Sequence, residues 1–218
     1  SSATISWQTS TETIGFITFG TDNATEQTVT DDRDNDAPKK YKTHHVTLKN
    51  LDPKTTYQFT IGGTKKIYTF NTATFTINPN NLKPIIGSVS DNGKPLNYGI
   101  VYLTTQDAIV QSTIIKNLGN FIIPINNIRT LDLSQVVKFS PETVFKLKII
   151  GEDEKSTTVI FTLTNTEAPL GPFILGQNLD LTTAAEITTF SKFDLNNDGL
   201  INSSDYAMIS RDKVDLNF

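Results

Sequence analysis

Between residues 194 and 205 the chain reads Asp194-Leu195-Asn196-Asn197-Asp198-Gly199-Leu200-Ile201-Asn202-Ser203-Ser204-Asp205. The spacing is that of a loop that wraps a hard cation. Side-chain oxygens from Asp194, Asn196, Asp198, Asn202 and Asp205 fall at positions 1, 3, 5, 9 and 12, and Leu200 at position 7 needs only its backbone carbonyl. Gly199 sits at position 6, where the chain must turn sharply around the ion. Calcium takes six to eight oxygens, so this set implies Ca2+ as the cofactor; an ion-free turn is the competing reading of the same acidic loop. Two short helices are expected to hold the loop. Thr183-Ala184-Ala185-Glu186 is a capping box, followed by Ile187, Phe190 and Phe193 at helical spacing, and Tyr206 to Arg211 continues beyond the loop.

Position 12 is Asp205 where the general EF-hand loop has Glu, a shorter arm that must lie closer to the ion to bind through both oxygens. With that departure, Asp-x-Asn-x-Asp-Gly-x-x-Asn-x-x-Asp followed by a helical stretch resembles a type I dockerin repeat. The resemblance implies a cohesin-like partner, or a neighbouring domain, that contacts the hydroxyl pair Ser203 and Ser204. Ser203 also suits a helix N-cap, and the two roles are compatible. Dockerins carry two repeats. Lys192-Phe193-Asp194-Leu195-Asn196 is echoed by Lys213-Val214-Asp215-Leu216-Asn217, so a second loop is expected to begin at Asp215 and to be cut at Phe218; a chance polar tail is the other reading.

The rest of the chain reads as strands. From Thr4 to Phe75 it is rich in Thr, Ile, Val, Phe and Tyr at period two, with Ile5 and Trp7 on one face, Val46 with Leu48, and Ile14, Phe16 and Thr18 assigned to an inner face. In Leu51-Asp52-Pro53-Lys54-Thr55-Thr56-Tyr57 a proline fixes the turn between two strands. The Tyr57 ring enters the core, and its hydroxyl can bond back to upstream backbone. This tyrosine corner resembles those of fibronectin type III domains. With Trp7 and His44-His45-Val46-Thr47-Leu48 it is more narrowly similar to the N-terminal domain found ahead of purple acid phosphatases, without that domain's first edge strand. The resemblance brings no catalytic residue, because that family's metal ligands lie in a separate domain. His44 and His45 are adjacent and must point to opposite faces of a strand, so they are expected to pack rather than to chelate. The acidic run Asp31 to Asp36, with Arg33 inside it, is expected to be a solvated loop.

A second β module begins after Asn80-Asn81-Leu82-Lys83-Pro84. Its Asn92-Gly93 pair predicts a type I′ hairpin. The Gly-x-Val, Asn-Gly-x-Pro, Val-x-Leu and Gly-x-Phe elements resemble carboxypeptidase regulatory-like, transthyretin-like sandwiches. Glu152, Asp153 and Glu154 are expected in a solvated hairpin tip rather than as a glycosidase pair. The fold expected is therefore mostly β: two consecutive antiparallel β-sandwiches, immunoglobulin/fibronectin-like, at 1–78 and 82–165, then a linker at 166–182 and a small helix-loop-helix calcium module at 183–218.

Composition narrows the function. Nineteen basic against 23 acidic residues give a net charge of -4, which argues against nucleic acid or anionic lipid as partner. No run is long enough for membrane insertion, and the absence of cysteine excludes thiolate and disulfide chemistry. No catalytic constellation is legible. The leading expectation is a non-catalytic piece of a modular secreted or cell-surface protein, with sandwich spacers or adhesion units and a docking tail. The alternative is an accessory region of a secreted hydrolase, acting on phosphate esters or polysaccharides, whose catalytic domain lies elsewhere. A glycan-binding module ranks third, for want of an evident aromatic platform.

Overall fold

The alternation of β-branched and polar residues folds as the period-two pattern demands. In the computed structural model, residues 1–35, 37–75, 82–166 and 169–182 are described, and among them helical structure is limited to two short 3-10 turns. The first sandwich holds β1 (Ala3–Ile14), β2 (Phe16–Gly20), β3 (Gln27–Thr30), β4 (Lys40–Leu48), β5 (Thr56–Ile61) and β6 (Tyr68–Asn71). A two-stranded sheet β1–β4 covers a four-stranded sheet ordered β3–β2–β5–β6. Ile17, Phe19, Val46, Leu48, Tyr57 and Phe59 form the core between them, with Ile5 and Trp7 packed against it. The tyrosine corner is present: the Asp52 amide donates to the Tyr57 hydroxyl at 3.0 Å.

Register in the β1–β4 pair sorts its side chains between core and outer face. Ile5 pairs with Val46 and Trp7 with His44, so these point inward. The alternate row, Thr4–Thr47, Ser6–His45 and Gln8–Thr43, forms the outer face. The adjacent histidines therefore do lie on opposite faces. In β2 the expected inner face is reversed: Ile17 and Phe19 are buried, whereas Ile14 is exposed. Gly15 ends the β1 register before β2 begins, and the inner row restarts one residue later. A Cβ at Gly15 would collide with His44 Nδ1, so the residue there must be glycine for the imidazole to sit where it does.

The second sandwich contains β7 (Ile85–Asp91), β8 (Lys94–Pro95), β9 (Gly99–Thr105), β10 (Gln111–Ile114), β11 (Asn120–Ile123), β12 (Val144–Gly151), β13 (Ser156–Thr162), β14 (Leu170–Ile174) and β15 (Leu179–Asp180). One sheet runs β10–β9–β12–β13–β15 and the other β11–β7–β14, with β8 pairing β7. Ile85, Val89, Phe121 and Phe173 bury one face of the smaller sheet. Val101, Leu103, Phe145, Leu147, Val159 and Phe161 do so for the larger. The Asn92-Gly93 turn has φ of 48° and 75°, the pair of left-handed residues that a type I′ hairpin needs.

The structure corrects two expectations. The sandwich is not wholly antiparallel, because β14 runs parallel to β7. A parallel neighbour needs a long crossover, and the intervening strands of the module provide it. Nor is 166–182 simply a linker. Leu170 and Phe173 are buried in the second sandwich, and Thr157 of β13 holds the Ile174 carbonyl and the Gly176 amide through its hydroxyl. The proline and glycine cluster that reads as a linker instead runs into β14, an edge strand of the smaller sheet. Residues 1–179 form one compact unit, and the helix-loop-helix expected at 183–218 lies outside the described residues.

Candidate functional site at the junction of the sandwiches

The polar outer face of β1–β4 meets the second sandwich. Tyr102 of β9 donates its hydroxyl to Ser6 Oγ at 2.9 Å, and His45 Nε2 lies 3.1 Å from Ser112 Oγ of β10. The other ring nitrogen of His45 contacts Asp32 Oδ2 at 2.7 Å, and Asp32 also accepts from the Thr47 amide and hydroxyl. Burial alone would raise the Asp32 carboxyl. The hydrogen bonds from His45 and Thr47 outweigh it and hold the group below the usual carboxylate range.

At the centre is a charge cluster whose members come from three places in the chain. Asp31, 2% exposed, accepts from the Arg33 backbone amide, from Arg33 Nε at 2.7 Å, from Arg33 Nη2 at 2.9 Å and from the His45 amide at 2.9 Å. Arg33 spans the junction. Its Nη1 donates to Glu152 Oε1 at 3.1 Å, Nη2 also reaches the Thr43 carbonyl, and its guanidinium lies 3.7 Å from the centre of the Tyr41 ring. Glu152, at the start of the β12–β13 turn, accepts from the Lys42 amide at 2.6 Å and from the amide and hydroxyl of Thr43. Burial would lower the Arg33 pKa, but the bidentate Asp31 contact and then Glu152 outweigh it and raise it. The charge is thus fixed in the joint.

His44, on the inner face, stacks on Trp7 with ring centres 4.8 Å apart and an interplanar angle of 20°. Its Nε2 meets the Thr9 and Thr13 hydroxyls at 3.2 and 3.0 Å, and its buried Nδ1 has no hydrogen-bond partner. Burial pushes its pKa down. Asp31, with Oδ2 at 3.9 Å, opposes that shift and Arg33 reinforces it, so the ring stays neutral near pH 7. Both histidines therefore pack, as their adjacency implies.

The solvated-loop reading of Asp31 and Arg33 is overturned by this geometry, and so is the solvated-tip reading of Glu152; Asp153 and Glu154 do remain at the exposed tip. Sequence reasoning misses the joint because Arg33 and Glu152 are 119 residues apart. One signal is available. The chain uses only three arginines among 19 basic residues, and arginine is the side chain suited to forked, buried carboxylate pairing.

No group of three or more His, Asp or Glu able to hold a metal occurs among the described residues. The proposed calcium ligands Asp194, Asn196, Asp198, Leu200, Asn202 and Asp205, and the partner-contact residues Ser203 and Ser204, lie outside them. Among the described residues no helix is long and apolar enough to cross a membrane. The arrangement at the junction has ion pairs and hydroxyls in mutual contact across the two sandwiches.

Residues 1–76 match the family model of the purple acid phosphatase N-terminal domain. That domain is a fibronectin-like β domain and an accessory, non-catalytic region. No curated protein matches the chain.

Proposed function

We propose that the chain is a non-catalytic accessory region of a modular secreted or cell-surface protein, in which two sandwiches joined as one stiff arm carry a calcium-ordered, dockerin-like docking segment at 183–218. The observation that carries the arm is the Asp31–Arg33–Glu152 cluster, whose directional bonds link one sandwich to the other. The docking segment rests on the oxygen spacing from Asp194 to Asp205. Calcium would neutralise Asp194, Asp198 and Asp205, which otherwise repel, so folding of that segment is linked to the ion. Ser203 and Ser204 are the proposed contacts for a cohesin-like partner. The second sandwich is proposed to be of the carboxypeptidase regulatory-like type, supported by its left-handed Asn92-Gly93 turn between β7 and β8.

The test is calorimetry of the full chain in excess calcium and in chelator. A hundredfold excess over Kd stabilises the binding segment by about 2.7 kcal/mol, so a separate transition should move upward with calcium. Asp198→Ala should abolish that shift without moving the main transition. Identical traces in calcium and chelator would remove the docking half of the proposal and leave the arm intact.

One observation favours a second reading, that the chain is the accessory region of a secreted hydrolase: residues 1–76 match a domain type that accompanies phosphatases. Under that reading the arm sets the distance between a catalytic domain elsewhere and the docking segment.

A further inference from the structure

An aromatic platform that no run of the sequence announces lies beside the joint. Tyr98 follows the β7–β8 hairpin and is 47% exposed. Its ring is held from the first sandwich by Tyr41, with centres 5.7 Å apart at 60°, and Tyr41 is itself capped by the Arg33 guanidinium. Tyr98 thus has one side fixed and another open to a groove of about 590 Å³. That volume falls within the range of about 300–1,000 Å³ found for small-ligand sites.

Asn92 and Asn97 line the groove with amides, each of which can donate and accept, and Asp91 and Asp153 add acceptor oxygens. Those two carboxylates share Lys155, whose Nζ lies 3.3 Å from Asp91 and 3.1 Å from Asp153, and Lys94 in the lining supplies the second positive charge. The site therefore offers a held aromatic face, amides and a neutralised rim. Vicinal hydroxyls match amide and carboxylate groups, and the C–H face of a pyranose packs on the electron-rich face of a phenol ring. A second groove beside it, lined by Gln8, Lys42, Lys148 and Glu152, offers charge but no aromatic ring.

We propose that the Tyr98 groove binds a neutral saccharide. The joint builds the site, since Tyr41 of the first sandwich sets the ring that the second sandwich presents. With Asp91 and Asp153 engaged by Lys155, and Glu152, the third carboxylate of the lining, by Arg33, the groove offers no unpaired carboxylate couple, and the activity inferred is binding without hydrolysis. Binding there does not depend on the calcium segment.

The test is native affinity electrophoresis of the full chain through gels containing hydroxyethylcellulose, xylan, dextran or galactomannan, with heparin as the charged probe. Retardation by at least one neutral polymer and none by heparin is the expected result. Tyr98→Ala should weaken retention about tenfold, equivalent to about 1.4 kcal/mol, whereas Tyr98→Phe keeps the ring and should retain it. Asn97→Ala, at an exposed position, should weaken retention several-fold and decides the matter if Tyr98→Ala disturbs the fold. Passage through every neutral polymer without retardation overturns the proposal, as does retention that neither Tyr98→Ala nor Asn97→Ala reduces.

Discussion

Replacing Arg33 by Met removes the guanidinium from the joint while keeping an unbranched side chain over Tyr41. Asp31 then loses the two side-chain hydrogen bonds from Arg33 and the cation that pairs with it, yet keeps the His45 amide and stays buried beside His44. Glu152 loses its ion-pair partner too, but at 28% side-chain exposure it can recruit water and keeps the Lys42 and Thr43 amides. The stranded Asp31 charge dominates. Breaking one side of a buried pair costs about 3–5 kcal/mol, which for a unit of this size corresponds to a fall in Tm of roughly 6–20 °C. Glu152→Gln should cost only about 1 kcal/mol, since the amide oxygen can still accept from Lys42. Urea unfolding provides the assay. Trp7 is the sole tryptophan and lies against His44, so its fluorescence reports the first sandwich, while far-UV circular dichroism reports both. The two transitions should coincide in the wild type and separate in Arg33→Met. A variant within about 1 kcal/mol of wild type, with coincident transitions, would refute the view that this cluster holds the sandwiches together.

Two further outcomes are expected. Tyr57→Phe removes the acceptor for the Asp52 amide while keeping the ring in the core, and should lower stability by about 1 kcal/mol, read from the urea midpoint at unchanged slope. Acidification should act through His44, whose folded pKa lies below its ordinary value of 6.5. Above pH 6.5 both folded and unfolded chains hold a neutral ring. As pH falls below it the unfolded ring takes up a proton that the buried one refuses, so stability declines until the folded pKa is passed. Urea midpoints should be level from about pH 8 to 7 and decline toward pH 5, and His44→Gln should lose that part of the decline; an unchanged profile in the variant would assign it to another group.

The elements that can be foreseen are those specified by neighbours in sequence. Period two locates most strands, the Leu51 to Tyr57 segment announces its corner, and Asn92-Gly93 announces its turn, because each depends on local backbone geometry. The inner row of β2 is misassigned by pattern alone, because Ile14, Phe16 and Thr18 alternate as well as Ile17 and Phe19 do. Only the Gly15 break, set by the close approach of His44, distinguishes them. The strand inside 166–182 is hidden by the proline and glycine that usually mark a linker. The joint is hidden for a different reason. A buried ion pair leaves no periodic signature: Asp31 and Arg33 read as a loop that compensates its own charge in solvent, and Glu152, 119 residues from Arg33, reads as part of an exposed tip.

That the two sandwiches meet through charged and hydroxyl groups beside the Tyr41–Tyr98 ring contact has a mechanical consequence. An apolar patch is non-directional, so sandwiches joined by one could slide or rotate at little cost. Here Arg33 engages Asp31, Glu152 and the Thr43 carbonyl at once, and Glu152 takes two successive backbone amides of β4. Moving β12–β13 by one residue along β4 would leave those amides facing the wrong atoms and Glu152 away from Arg33. Desolvating these groups limits how much stability the joint adds, but every alternative register leaves a charge unmet. We attribute the choice of ions to orientation. The same constraint carries Tyr41 to Tyr98, so the pose of the second sandwich and the shape of its aromatic groove depend on one guanidinium.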